Sequence, residues 1–189
     1  PEGVQHRARR GHLQGGRHPR CGLPTAAQKT VLAKVFDGPR DAAGQAVYSG
    51  LPWDAGVQGR DWATWKLVNS VGPRDAIALA FVFTTPPASP AVVNGQGDSL
   101  IDYALQFNLA SDLAKVRATS PTYPESPMAV MTPPDPLMRD FVAQGGKLLV
   151  FHGSADPVFS ALDTLRWQDD FRAAHGAAAD RHARVFLVP

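Results

Sequence analysis

One cysteine, Cys21, stands in 189 residues, so no disulfide can close within the chain. It is a free thiol, or its partner lies outside this stretch. No run of 18 or more apolar residues occurs, which excludes a membrane-spanning helix. No signal-peptide pattern opens the chain, and a first residue of proline leaves the compartment undecided. No His, Cys, Asp or Glu cluster has metal-ligand spacing, and no glycine loop has the phosphate-binding pattern. No basic surface interleaved with aromatics points to RNA. Gly-x-Ser-x-Gly, the strained turn that presents a hydrolase serine, is missing as well. Neither nucleic acid nor membrane is therefore expected as a partner, no metal ligands are expected, and nothing calls for a catalytic cofactor.

What is present is globular material, 44% hydrophobic and long enough for one domain or parts of two. Charge is uneven. Residues 1–20 hold five arginines against one glutamate, a local +4, which leaves about −2 for the remainder. Three readings of this head stand: a solvated disordered terminus, a binding arm for acidic surfaces, or a stretch that is not authentic because of a reading-frame error. Residues 1–22 are accordingly unassigned, and helical patterning begins abruptly near Leu23.

Thr25 and Gln28 form a capping box for a helix carrying Val31, Leu32, Val35 and Phe36, which Asp37-Gly38-Pro39 ends. A turn-rich segment with Tyr48 and Trp53 runs to about Gly59. A short helix over Asp61 to Val68 would place Trp62 and Trp65 on one face. Ala76 to Phe83 is helix or strand, because periodicity alone does not decide. Ser99 to Phe107 reads as helix, and Ser120 to Pro134 as irregular. Residues 23–133 thus resemble a cap or lid more than a sheet-based core.

From Asp135 the pattern changes, and residues 134–189 read as α/β. Asp135-Pro136 is an N-cap and N1 proline for a helix burying Leu137, Phe141 and Val142, closed by Gly145-Gly146. Lys147 to His152 is a nearly continuous apolar strand, as in a parallel sheet covered on both faces. Ser160, with Asp163 in support, caps a helix carrying Leu162, Leu165, Trp167 and Phe171 that stops at Gly176. Ala183 to Val188 is a second, parallel strand.

The chemistry concentrates in strand–His152-Gly153-x-x-Asp156–helix. Ligands of open α/β sheets sit at the carboxyl ends of strands, and this loop lies at such an end. A carboxylate there can accept a hydrogen bond from a histidine ring, fix its tautomer and stabilise the imidazolium formed when it deprotonates a serine. In α/β-hydrolases the acid precedes the histidine in the chain, and one helix and one strand follow Asp156. The bland alternative is that Asp156 only caps a turn before Pro157. Ser154 lacks the flanking glycines of a nucleophile, His152 precedes the acid and suits loop ordering or pocket lining, and His175 and His182 read as surface groups.

Residues 145–160, Gly-Gly-Lys-Leu-Leu-Val-Phe-His-Gly-Ser-Ala-Asp-Pro-Val-Phe-Ser, resemble the acid segment of the tannase and feruloyl esterase family. Residues 184–189 resemble the strand before that family's histidine motif, and Thr25 to Asp41 with Tyr48-x-Gly50 resembles its lid. The resemblance implies the carboxyl-terminal part of an α/β-hydrolase fold, with the last two parallel strands and their helices, preceded by part of a lid domain. It implies a secreted or periplasmic serine esterase working through an acyl-enzyme on aromatic esters, with Asp156 as its acid. Nucleophile and histidine are then expected outside these residues, on either side. A disulfide beside serine and histidine and a structural calcium in the lid are also implied, although no calcium loop is recognisable here. Cys21 resembles a lid cysteine paired upstream, with one extra residue before the Thr25 helix. Phe159 is a candidate wall for the aryl group, as are Phe81, Phe83 and His152. A peptidase or dienelactone-type hydrolase would share the His-Gly-x-x-Asp loop, and a non-catalytic binding module on the same frame is the alternative from another class.

Overall fold

Thr25 starts the first helix as its residue type dictates. Its hydroxyl accepts the Gln28 N–H at 3.3 Å while the Gln28 side chain accepts the Thr25 N–H at 2.9 Å, and α1 (Ala26–Asp37) follows. Gly38 ends it at φ +81°, a conformation that other residues rarely adopt. The computed structural model describes residues 24–92 and 99–189, so Cys21, Leu23 and the basic head lie outside the described residues.

A helical layer comes next. α2 (Arg60–Ala63) runs without a break into a π-helix (Thr64–Arg74) and then α3 (Asp75–Phe81). Pro73 has no N–H to donate, and the Asp75 N–H reaches Ser70 O, five residues back. This winding changes the expected helix. Trp62 is buried at 7% exposure while Trp65 is 46% exposed with Arg74 over its ring, so the two tryptophans do not share a buried face. The ambiguous stretch from Ala76 is helix, burying Ala76 and Ala80. α4 (Ser99–Gln106) forms as the periodicity indicates, and α5 (Leu109–Asp112) follows. The region around Ser120 to Pro134 is irregular except for α6 (Pro127–Met131), capped by Ser126.

The α/β part departs from expectation at its first helix. Asp135-Pro136 makes a turn instead of an N-terminus: the Met138 N–H reaches Asp135 O, and α7 (Arg139–Ala143) starts after Met138 at φ 54°. β1 (Leu148–Gly153) pairs in parallel with β2 (Ala183–Val188), from Leu148 opposite Ala183 to Gly153 opposite Val188. Between them lie α8 (Ala161–His175) and α9 (Ala179–His182). Only one sheet face is covered among the described residues. Phe171, Ala179 and Ala183 form a core with Leu148, Val142 and Trp167, whereas Leu149 and Phe151 on the other face are 61% and 67% exposed. The expected cover on both faces is therefore not seen.

A second core joins the two parts. Phe36, Leu51 and Trp62 are buried together with Val35, Val57 and Ala155, and Phe36 stacks on Trp53 at 3.8 Å and Trp62 at 5.6 Å. Because Ala155 belongs to the His-Gly-x-x-Asp loop, the lid-like segment packs directly on the candidate site. Phe36→Ala should destabilise the protein by about 3–5 kcal/mol in urea unfolding, as loss of a buried aromatic does; a change within 1 kcal/mol would show this cluster to be peripheral.

Candidate active site

Asp156 sits just past the carboxyl end of β1 because Gly153 ends the strand and a turn, Asp156 N–H to Gly153 O at 3.1 Å, redirects the chain. Its two carboxylate oxygens have different surroundings. Oδ1 accepts the N–H groups of Val158 at 2.7 Å and Phe159 at 2.9 Å, which locks the side chain onto its own loop. Oδ2 accepts no hydrogen bond among the described residues, and its neighbour His152 Nε2 is 3.8 Å away, too far for one. The carboxylate is thus oriented by the backbone and keeps an oxygen free. A turn-capping aspartate uses the first property alone.

His152 has no such spare capacity. Its Nε2 lies 3.0 Å from Phe159 O, an acceptor only, so Nε2 carries the hydrogen. Its Nδ1 pairs with the Thr164 hydroxyl at 2.7 Å on α8. The ring ties the end of β1 to the far side of the loop, and both nitrogens are engaged. Phe159 itself projects outward, 68% exposed, beside the acid. Asp156, His152 and Phe159 therefore share one loop. Phe81 ends α3 half-buried and Phe83 lies just beyond it, and among the described residues no hydrogen bond or ring contact joins either to that loop.

The loop is fastened to the lid-like segment by residues that spacing could not reveal. The Ser154 hydroxyl donates to Asp54 Oδ2 at 2.8 Å. Asp54 Oδ1 accepts the Gly56 N–H at 2.8 Å, and these two donors, the amide first, hold the Asp54 carboxyl below its ordinary range. Gly56 is required at this point, since a Cβ there would stand 2.6 Å from that of Ala155. At the other end of the loop, Ser160 N–H donates to the Tyr48 hydroxyl at 3.3 Å and Ser160 Oγ donates to Gly50 O. Burial raises the Tyr48 phenol, which stays protonated. The Ser49 hydroxyl donates to Asp163 at 3.2 Å. Asp163 therefore faces the lid segment, and the Ser160 N–H it was expected to cap is taken by Tyr48.

Lys66 is half-buried on the π-helix; burial pushes its ammonium pKa down, while Asp75 and Asp156 act against that. It borders a cavity of about 300 Å³ lined also by Ser70, Val71, Asp75, Ala76 and Leu79. Phe81 and Phe83 do not line this cavity. His175 and His182 are not free surface groups: each is half-buried and bonds a carbonyl, Leu137 O at 2.7 Å and Gly146 O at 2.9 Å. No group of three His, Cys, Asp or Glu able to hold a metal occurs among the described residues. No helix among the described residues is long and apolar enough to cross a membrane.

A family model described as tannase and feruloyl esterase matches residues 18–189. The chain belongs to the tannase and feruloyl esterase family. It is 29% identical over 178 residues to a mono(2-hydroxyethyl) terephthalate hydrolase of Piscinibacter sakaiensis, covering 86% of this chain and 28% of that protein. It is 26% identical over 190 residues to an Arthroderma benhamiae protein named "Probable feruloyl esterase", covering 92% of this chain and 31% of that protein. The chain thus spans less than a third of the length of these curated relatives. In this tannase-family chain the Asp156 loop brings a carboxylate, a histidine and an exposed phenylalanine together.

Two outcomes follow from the local geometry. Thr164→Val leaves His152 Nδ1 without its partner and should lower stability by about 1–3 kcal/mol, read by thermal unfolding; no change would mean the ring is held by Phe159 alone. Because the Gly56 N–H first and the Ser154 hydroxyl second depress the folded pKa of Asp54, the stabilisation from these bonds is fully present above the ordinary aspartate value of about 3.9 and is lost as pH falls through the lower folded value. The acid-induced loss of stability below pH 4 should therefore be shallower in Asp54→Ala than in the parent, measured by urea unfolding across pH; parallel curves would refute the assignment.

Proposed function

We propose that this chain is the acid-bearing part of a serine esterase that cleaves aromatic carboxylic esters through an acyl-enzyme. The observation that carries the reading is the divided carboxylate of Asp156, with Oδ1 bound to Val158 and Phe159 and Oδ2 free at the carboxyl end of a parallel strand. A histidine N–H donating to Oδ2 would be held in one tautomer, with its other ring nitrogen free to take the proton from a serine hydroxyl. The serine oxygen then attacks the ester carbonyl, the alcohol leaves with the proton returned by the histidine, and water releases the acid by the same route in reverse.

Serine and histidine would come from outside these residues. The absence of Gly-x-Ser-x-Gly and the greater length of the relatives support that assignment. In this reading β1 and β2 are the last strands of an α/β-hydrolase sheet, and the helical residues are part of a lid that shapes the site. The names of the two relatives, a terephthalate monoester hydrolase and a feruloyl esterase, favour an aryl acyl group. Exposed Phe159 beside the acid is the candidate wall for it, whereas His152, with its nitrogens engaged, orders the loop. A secreted or periplasmic setting accompanies the reading.

In the complete protein, Asp156→Asn should lower kcat by about 10⁴-fold on methyl ferulate or a terephthalate monoester, the size of effect an unsupported histidine produces. Asparagine keeps the Oδ1 acceptor, so the loop should stay folded. Near-normal turnover would reject Asp156 as the acid. The 189-residue chain alone should hydrolyse neither methyl ferulate nor p-nitrophenyl esters; turnover sensitive to a serine-directed fluorophosphonate would show that it holds a nucleophile of its own.

A further inference from the structure

We propose that Tyr48 and Asp54 are positioning residues for the acid, so that the segment 48–56 takes part in turnover without touching the ester. The proposal rests on the reading of Asp156 as the triad acid. The loop from Gly153 to Ser160 is held by two sets of bonds. One is internal: Ser154 N–H to Val188 O at 2.8 Å, the turn at Gly153, the two amides on Asp156 Oδ1, and the His152 ring on Phe159 O. These define the loop's shape. None of them reaches Ser160, where the loop enters α8.

The second set comes from the lid-like segment and grips both ends of the loop. Asp54 takes the Ser154 hydroxyl two residues before Asp156, and Tyr48 takes the Ser160 N–H four residues after it. Ser160 is 1% exposed, and its hydroxyl donates to Gly50 O, so this end has no water to replace a lost partner. Gly56 against Ala155 closes the space between the two grips. All of these lid residues lie within nine positions of one another, on a segment whose Leu51 N–H bonds Phe36 O at 2.8 Å and whose side chains pack on the Phe36 core. The acid is therefore seated by a rigid strap from the lid. A shift of under an ångström at Oδ2 is enough to weaken its bond to a histidine, and catalytic rates respond steeply to such errors.

The test uses the complete protein and an aryl ester substrate. Tyr48→Phe removes one hydroxyl and keeps the ring, and Asp54→Asn weakens the other grip with little change in shape. Each should lower kcat about tenfold with KM within twofold. The acidic limb of the kcat/KM profile should move to lower pH, because a histidine with a misplaced carboxylate is less easily protonated. Trp167→Phe, which loses an indole bond to Pro136 O outside the loop, serves as a control that lowers stability and leaves kcat and the pH limb in place. Unchanged kcat and pH limb in both strap variants, with only a lower melting temperature, would overturn the proposal. So would a raised KM at constant kcat, which would make Tyr48 a substrate contact. Asp156→Asn measured beside them separates the two claims. If it is inactive while the strap variants are normal, the strap is structural and the acid stands. If it is active, the reading of Asp156 falls and the proposal with it.

Discussion

Ser160 is the joint on which the arrangement depends. Its hydroxyl accepts the Leu162 N–H to begin α8 and donates to Gly50 O, while its own N–H donates to the Tyr48 hydroxyl. A buried serine with every polar group used joins three things at once: the start of the helix that covers the sheet, the end of the acid loop, and the lid-like segment more than a hundred residues earlier. Buried polar groups of this kind are costly when left unpaired and add specificity when fully satisfied. The same residue that starts α8 therefore fixes where the lid-like segment sits on the loop.

From that joint the rest follows in order. The lid-like segment brings Asp54 to Ser154 and packs Gly56 on Ala155, which clamps the loop at its entry. The clamped loop turns Asp156 so that Oδ1 faces its own amides and Oδ2 faces away from them. His152 contributes by crossing the loop, with Thr164 on one nitrogen and Phe159 O on the other. The carboxylate is thus held by backbone amides of its own loop. Such fixed surroundings are what a histidine partner needs, since the carboxylate does not have to reorganise when charge develops on the ring.

Local physics was legible in the sequence, and contacts between distant segments were not. The Thr25–Gln28 capping box, the breaker at Gly38, the Ser160 cap and both strands follow from residue types a few positions apart. The place of Asp156 past the end of β1 was legible for the same reason, since strand, loop and helix are adjacent in the chain. Asp135-Pro136 misled because the chain turns there first and enters α7 only after Met138. Trp62 and Trp65 misled because a helical period of 3.6 does not describe a π-helix. The partners Asp54 and Ser154 lie 100 residues apart, and Tyr48 and Ser160 lie 112 apart. No spacing rule links such pairs. Membership of the tannase and feruloyl esterase family agrees with the resemblance carried by the acid segment and the lid turn.

In the proposed esterase, Asp156 presents Oδ2 to a catalytic histidine. A crystal structure of the complete protein tests it most directly. The expected result is a histidine ring nitrogen within about 3.2 Å of Oδ2, with the other ring nitrogen facing a serine hydroxyl. A histidine–serine pair oriented by a different carboxylate, with Asp156 Oδ2 facing solvent, would contradict it.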